Sequence, residues 1–436
     1  MVIRLAIFLL MIASLSGTSI YSVYELSTLL RSLQSFLGEA GVMVLLLFTM
    51  LITLRYLGLL LFSVLNNVRR TAGQDHVQHD FPKVSILVPA YNEEVVIQKS
   101  LLSIMEQTYP RIEIIVIDDG SADATFVKAK ALEYDNGVKS LRVLRKPNGG
   151  KAVALNYGME RSTGDLIMVV DADSRLSDDA VERMVPYFSD PRVAAVAGSV
   201  YVSNRINNLT RLQALEYIQG LNMARNGQAF FKLVSIIPGP IGVFRKDALI
   251  KAGGYDHDTF AEDADLTMKL IALNYRIDFE PEAFAYTEAP DQLLDLLKQR
   301  YRWTRGILQS LSKHKKQMLH VFRRPKISLV MWYMFFESIM WPFMDVMGTL
   351  FFLYISFSSG TSTFIFHWWL LFTLLDLAGA LYCVLTTRES LSLTWYAIFY
   401  RLYFIGIINI AKIFATIEEW LNLKMDWGKL NRKGNL

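Results

Sequence analysis

Two aspartates one residue apart, Asp171 and Asp173, follow directly on the apolar run Leu166-Ile167-Met168-Val169-Val170. A short apolar run bounded by turn residues reads as a buried strand of an α/β sheet. Ligands of such sheets sit at the carboxyl ends of the strands, where this pair falls. Two carboxylates placed there repel each other unless a cation lies between them, and oxygen ligands beside phosphates suit Mg²⁺ or Mn²⁺. Alone, an Asp-X-Asp is more often a solvated turn, so the reading depends on the neighbouring strand ends.

Those ends carry chemistry too. Pro89-Ala90-Tyr91-Asn92-Glu93-Glu94 follows the apolar run Val84–Val88 and opens a helical stretch, presenting a ring and hydrogen-bond acceptors. Asp118-Asp119-Gly120-Ser121 closes Ile112–Ile117, where a carboxylate can accept from a base or a ribose. Asn148-Gly149-Gly150-Lys151 is a tight glycine turn that delivers a lysine to the next helix. Each alone is explained as a turn or a cap. Their recurrence at successive strand ends is not.

The elements that must hold these residues follow from the pattern of hydropathy. The chain has 436 residues, 52% of them hydrophobic, and a mean hydropathy of +0.27, which fits a soluble domain joined to several membrane spans. Basic and acidic residues nearly balance, 45 against 41, so nothing points to nucleic acid. Cys383 is the only cysteine, which excludes an intramolecular disulfide. Residues 3–23 read as a signal peptide or a span, and Gly41 to Leu65 as a span. An uncleaved first span returning through the second is the simpler reading, and it puts Arg69 and Arg70 in the cytoplasm.

Between Phe81 and His320 short apolar runs alternate with helix-like stretches at Glu94–Gln107, Ala122–Tyr134 and Lys151–Arg161. That alternation predicts an α/β domain with a mostly parallel sheet covered on both faces by helices. After Arg323-Arg324-Pro325-Lys326, apolar segments resume at 327–357, 363–387 and 391–416. Two spans before the domain and three after would leave the basic tail outside, so one of the last three is expected to lie in the interface or to re-enter.

In this order the motifs resemble the family 2 glycosyltransferases, whose fold is called GT-A. Ala261-Glu262-Asp263-Ala264-Asp265 is similar to the family's Thr-Glu-Asp, with Ala261 in the threonine's place. Gln299-Arg300-Tyr301-Arg302-Trp303 is similar to the Gln-X-X-Arg-Trp of its processive polysaccharide synthases. On a helix Gln299, Arg302 and Trp303 stand at i, i+3 and i+4, one face. The resemblance implies that Ala90, Tyr91, Glu93, Asp119, Lys151 and Asp171 bind UDP, and that Asp171 and Asp173 hold Mg²⁺ or Mn²⁺. It implies Asp263 as general base with Glu262 beside it, and Gln299, Arg302, Trp303 and Gly239 around the acceptor and diphosphate.

The architecture implied is an N-terminal transmembrane pair (1–70), a cytosolic GT-A domain ending in interfacial helices (81–320), a C-terminal transmembrane region (327–420) and a basic cytosolic tail (421–436). A regulatory domain after the last apolar segment is not expected. The activity implied is a multi-pass cell-membrane synthase that polymerises a β-linked polysaccharide from a cytosolic UDP-sugar, first UDP-N-acetylglucosamine, and couples synthesis to export. Its partners would be the donor, the growing chain, the bilayer and, where one exists, a small membrane subunit. Hyaluronan, chitin and glucan synthesis stay open, as do a non-processive transfer to a lipid carrier and a transporter with a non-catalytic nucleotide-binding domain.

Overall fold

The computed structural model describes residues 36–72, 81–359, 363–387, 389–423 and 434. The apolar stretch 3–23 and nearly all of the basic tail lie outside the described residues. A nine-stranded sheet forms the centre of the soluble part. Strand β1 (Val84–Ala90) runs between β2 (Ile112–Asp118) and β5 (Leu166–Val169), parallel to both. Outside β2 lie the parallel β4 (Ser140–Arg145) and the two-residue edge strand β3 (Tyr134–Asp135). Ala90 is in register with Asp118, and Leu87 with Val169, so the segments named above all leave the sheet at one end.

Strands β1, β2 and β5 are runs rather than alternations because both faces are covered. Ile86, Val88, Ile114, Val116 and Met168 enter one apolar core. Their neighbours Leu87, Ile115, Ile117, Ile167 and Val169 enter another, with Leu155 of the helix Lys151–Glu160. The period of two along each strand feeds the two cores alternately.

Beyond β5 the sheet becomes mixed, whereas the sequence predicts mostly parallel pairing. Strand β8 (Gly242–Arg245) lies antiparallel to β5, and β7 (Val193–Val202) antiparallel to β8. Strand β9 (Arg276–Thr287) then pairs parallel with β7, and the short β6 (Ser174–Leu176) antiparallel with β9. This arrangement places the segment after β5 and the loop before β8 side by side.

Three described helices are long and apolar enough to cross a membrane: Met43–Arg70, Pro325–Tyr354 and Ile365–Thr386. The apolar segment 391–416 is not a fourth among the described residues. It opens with a 3₁₀ turn at Leu391–Tyr396, makes a short α-helical turn at Ala397–Phe399, widens to π geometry at Tyr400–Ile405 and continues as a regular helix at Gly406–Trp420. Arg401 explains part of that break. Its guanidinium lies 3.1 Å from Asp345 and 3.4 Å from Asp376, so the segment is held by a polar contact inside the bundle. Likewise Arg55 on the first of these helices pairs with Glu337 on the second.

The soluble and apolar parts meet closely. The helix Met223–Ala229 rests on the first long helix at Gly227, where an added Cβ would fall 2.7 Å from the Leu59 carbonyl oxygen. Asn226 Nδ2 donates to Ser63 Oγ at 2.8 Å, and Asn66 Nδ2 donates to Asn226 Oδ1 at 2.8 Å. At the end of the same long helix Arg70 donates to Glu280 of β9 at 2.7 Å.

Candidate active site

Four stretches of chain converge just beyond β5. Asp171 leaves the strand end with about a quarter of its side chain open, 25%. Lys151 begins its helix directly after the glycine turn, and its ammonium lies 2.6 Å from Asp171 Oδ1 and 3.1 Å from Glu262 Oε1. Glu262 and Asp263 are the first residues of the helix Glu262–Ala272. Gly239 closes the group: a Cβ there would lie 2.7 Å from Lys151 Nζ and 3.0 Å from Asp171 Oδ2. Gly239→Ala is therefore expected to displace the Lys151–Asp171 pair. A structure of the variant checks it, the 2.6 Å contact of Lys151 with Asp171 being lost.

The charges set each other's protonation. Burial alone would lower the Lys151 ammonium, but Asp171 and Glu262, with Asp263 behind them, hold it well above the usual lysine range. The Asp263 carboxyl is pushed up to about 6, first by burial and then by the negative charge of Glu262, with Lys151 opposing. A carboxylate tuned in this way suits proton abstraction near neutral pH.

Asp119 is engaged in building the site. Its carboxylate accepts from Lys146 Nζ at 2.5 Å, from Gly150 N at 2.7 Å and from Gly149 N at 3.1 Å. Asp119 thereby fixes the turn that aims Lys151. Gly120 (φ +77°) and Gly150 (φ +87°) occupy the left-handed region that the two facing loops require. The Ala90–Glu94 segment is stitched to the same corner: Asp119 N donates to Ala90 O at 2.9 Å, Asn92 N to Ser121 Oγ at 2.9 Å and Glu93 N to Thr125 Oγ1 at 2.7 Å. Tyr91 stands exposed at the lip. Asp173 is buried, its Oδ1 3.4 Å from Ser174 Oγ.

Gln299, Arg302 and Trp303 lie on one continuous helix, Leu293–Lys313. That helix meets the Glu262–Ala272 helix at a backbone contact. A Cβ on Gly306 would lie 2.6 Å from the Ala261 amide nitrogen and 2.7 Å from the Ala261 Cβ. Ala261 is the N-cap residue, with no side-chain cap, and is buried against that glycine. The small residue where the resemblance expected threonine thus sits at the point of closest helix approach.

Residues 85–253 match the family described as Glycosyl transferase family 2. The chain carries a family 2 glycosyltransferase domain. It is 32% identical over 257 residues to a poly-β-1,6-N-acetyl-D-glucosamine synthase of Staphylococcus epidermidis, covering 57% of this chain and 62% of that one. It is 35% identical over 277 residues to a probable glycosyltransferase of Bacillus subtilis (strain 168), covering 62% and 65%. In both cases the match spans less than two thirds of the relative's own length. Among solved structures, a mannosyltransferase from Pyrobaculum calidifontis in complex with GDP-Man and Mn²⁺ matches with a TM-score of 0.52 at 18% identity, over 84% of this chain and all of that one. This likeness establishes a GT-A-like α/β fold.

Within the glycosyltransferase domain two residues escape a reading by motif. Arg300, not Arg302, is the buried arginine of Gln299–Trp303. Its Nη2 lies 2.5 Å from Glu216, its Nη1 donates to Gln299 Oε1 at 2.6 Å, and its guanidinium stands 4.2 Å from the centre of the Trp303 ring. Arg300 and Glu216 thus fix the orientations of Gln299 and Trp303. The signal in the sequence was Glu216, a lone charge in the apolar helical stretch Leu212–Ile218.

A second acidic group, Asp256, Asp258 and Asp265, brings its oxygens within 4.8 Å of one another. Two lysines offset its charge, with Lys269 Nζ 2.7 Å from Asp256. Lys313 Nζ lies 2.5 Å from Asp256, 2.7 Å from Asp258 and 3.2 Å from Asp265, and His314 lies 2.7 Å from Asp265. This group fastens the Glu262–Ala272 helix to the end of the Leu293–Lys313 helix.

Proposed function

We propose that the protein is a membrane-embedded, processive, inverting glycosyltransferase that extends a β-linked polysaccharide from a UDP-sugar, with UDP-N-acetylglucosamine as first donor. The observation that carries this reading is the convergence of Lys151, Asp171, Glu262 and Asp263 at one strand end, with the Gln299–Trp303 helix packed against it. The relatives named as poly-β-1,6-N-acetyl-D-glucosamine synthases support the choice of sugar. The three long apolar helices support a bilayer location, and Arg69 and Arg70 in the last turn of the first favour a cytoplasmic side for the catalytic domain.

In this mechanism Asp263 takes the proton of the acceptor hydroxyl. The oxygen then attacks the anomeric carbon from the face opposite the diphosphate, and the bond to UDP breaks with its electron pair on the phosphate oxygen. Lys151 places a permanent positive charge beside the diphosphate. Trp303 offers its indole face to the acceptor sugar, and Tyr91 its ring to the uracil. Asp171 and Asp173 would supply carboxylate oxygens to a divalent ion, Asp171 from a strand end where a quarter of its side chain, 25%, is open. When bound there, Mg²⁺ or Mn²⁺ would neutralise charge on the departing UDP. Asp171→Ala is expected to remove the metal dependence of donor binding; wild-type binding that ignores EDTA would count against that role.

The base must be ionised to act. kcat/KM is therefore expected to rise with pH through an inflection near 6, where Asp263 loses its proton, and to be lost below it. A profile flat from pH 5 to about 8 would exclude Asp263 as that base. The reading as a whole is tested by UDP release from membrane-reconstituted protein against a panel of UDP-sugars, with linkage analysis of the product. Single-sugar lipid products alone would end the polymerase proposal.

A further inference from the structure

One cation at the site has no part in the mechanism above. Arg225 lies on the helix Met223–Ala229, directly after the turn widened to π geometry at Glu216–Asn222. Such widened turns recur at functional sites. Its Nε donates to the Ile236 carbonyl at 3.3 Å and its Nη1 to Asn222 Oδ1 at 3.4 Å, both long for a charged donor. Among the described residues it has no carboxylate partner and its Nη2 makes no hydrogen bond. The half-buried Lys151 is paired with Asp171 and Glu262, and the buried Arg300 with Glu216.

Its position is defined on both sides. Ile236 stands three residues before Gly239, which abuts Lys151 and Asp171. Burial, the largest effect, pulls the Arg225 guanidinium down to about 10, with the carboxylate of Asp263 opposing it. The side chain is crowded by protein yet keeps part of its surface open. A guanidinium desolvated without a counter-charge is unfavourable until an oxygen acceptor reaches it.

We infer that Arg225 is a substrate-binding residue whose open edge receives a carbonyl or carboxylate oxygen on the acceptor sugar, so that the site prefers sugars with an acylamino or acidic substituent over sugars with hydroxyl groups alone. The inference rests on Asp263 marking the acceptor side of the site. A planar guanidinium presents parallel N–H donors that match a carboxylate with two contacts or an amide carbonyl with one. A hydroxyl in the same place leaves the charge largely uncompensated, and sites that expect a particular polar group discriminate strongly against its absence.

The test uses full-length protein in lipid nanodiscs, wild type against Arg225→Gln and Arg225→Lys. Four oligosaccharides of equal length serve as acceptors: N-acetylglucosamine, glucosamine, glucose, and one containing glucuronate. Their binding is measured by calorimetry and their extension by KM and kcat. Wild type is expected to bind the N-acetylated or the glucuronate acceptor at least about tenfold more tightly than the glucose one, and which of the two it favours identifies the substituent. Arg225→Gln should erase that preference through KM with kcat within about threefold, and Arg225→Lys should retain part of it. UDP affinity should stay within about twofold, which also shows that the variants are folded. Equal acceptor preference in wild type and Arg225→Gln overturns the proposal, as does a loss confined to UDP binding. Wild-type protein that binds acceptors but extends none would overturn the polymerase reading instead, with the binding data still deciding the role of Arg225.

Discussion

Asp263→Asn is expected to lower turnover by about a thousandfold while UDP binding stays within about twofold of wild type. The amide cannot take the acceptor's proton, yet its oxygen can still accept from the Ala264 amide, a bond of 2.8 Å in the parent. Lys151 keeps both remaining partners, Asp171 and Glu262, so the donor side is undisturbed. The same substitution should stabilise the fold. In the native state the Asp263 carboxyl is raised from 3.8 to about 6, so ionising it costs stability as pH rises through that interval, and the whole cost is present at pH 7. Removing the charge is expected to recover about 3 kcal/mol at pH 7, and almost nothing below pH 4. Kinetics and thermal unfolding on one variant thus give opposite signs, which a merely structural residue would not do. Wild-type turnover would remove Asp263 from the mechanism.

Gly306→Ala is expected to damage the site through a single methyl group. The new Cβ would sit 2.6 Å from a backbone nitrogen and 2.7 Å from Ala261 Cβ, and neither can rotate away. The helix carrying Gln299, Arg302 and Trp303 must then withdraw from the start of the helix carrying Glu262 and Asp263. Overpacking of this kind costs about 1–3 kcal/mol, and misplacing reacting groups by an ångström costs about a hundredfold in rate. Thermal unfolding together with kcat measures both. An alanine variant with native turnover would show that the two helices need not touch.

The sequence made one half of the sheet easy to read. β1, β2 and β5 are short apolar runs between turn residues, β4 alternates between buried and open positions, and each ends in a segment with conspicuous polar chemistry. The other half hides for physical reasons. Strand β7 is built from Ala194, Ala195, Ala197, Gly198 and Ser199 between valines, with every residue buried, so it shows neither alternation nor a bulky run. Strand β9 carries Asp278 and Glu280, which look like surface charges but are buried against Lys232 and Arg70.

The site divides along a similar line. Asp171, Lys151, Glu262 and Asp263 announce themselves because their neighbours in sequence form motifs. The clamp of Asp119 on Gly149 and Gly150, the Arg300–Glu216 pair and Arg225 do not, because each depends on segments distant in the chain. The stretch Leu209 to Phe231 reads as an unremarked helix, yet it supplies Glu216 and Arg225. The segment 391–416 has the composition of a span, and only the partners of Arg401 show why it does not form one continuous helix.

The contact of Gly227 with Leu59 also has a mechanical meaning. A catalytic unit seated backbone to backbone on an apolar helix, and anchored again through Arg70 and Glu280, cannot rock away from that helix between additions. In the proposed polymerase the protein is then the stator and the saccharide the only travelling part. Each advance must come from the sugar slipping past Trp303 after transfer, so immobilising the protein on a solid support should leave chain elongation undiminished.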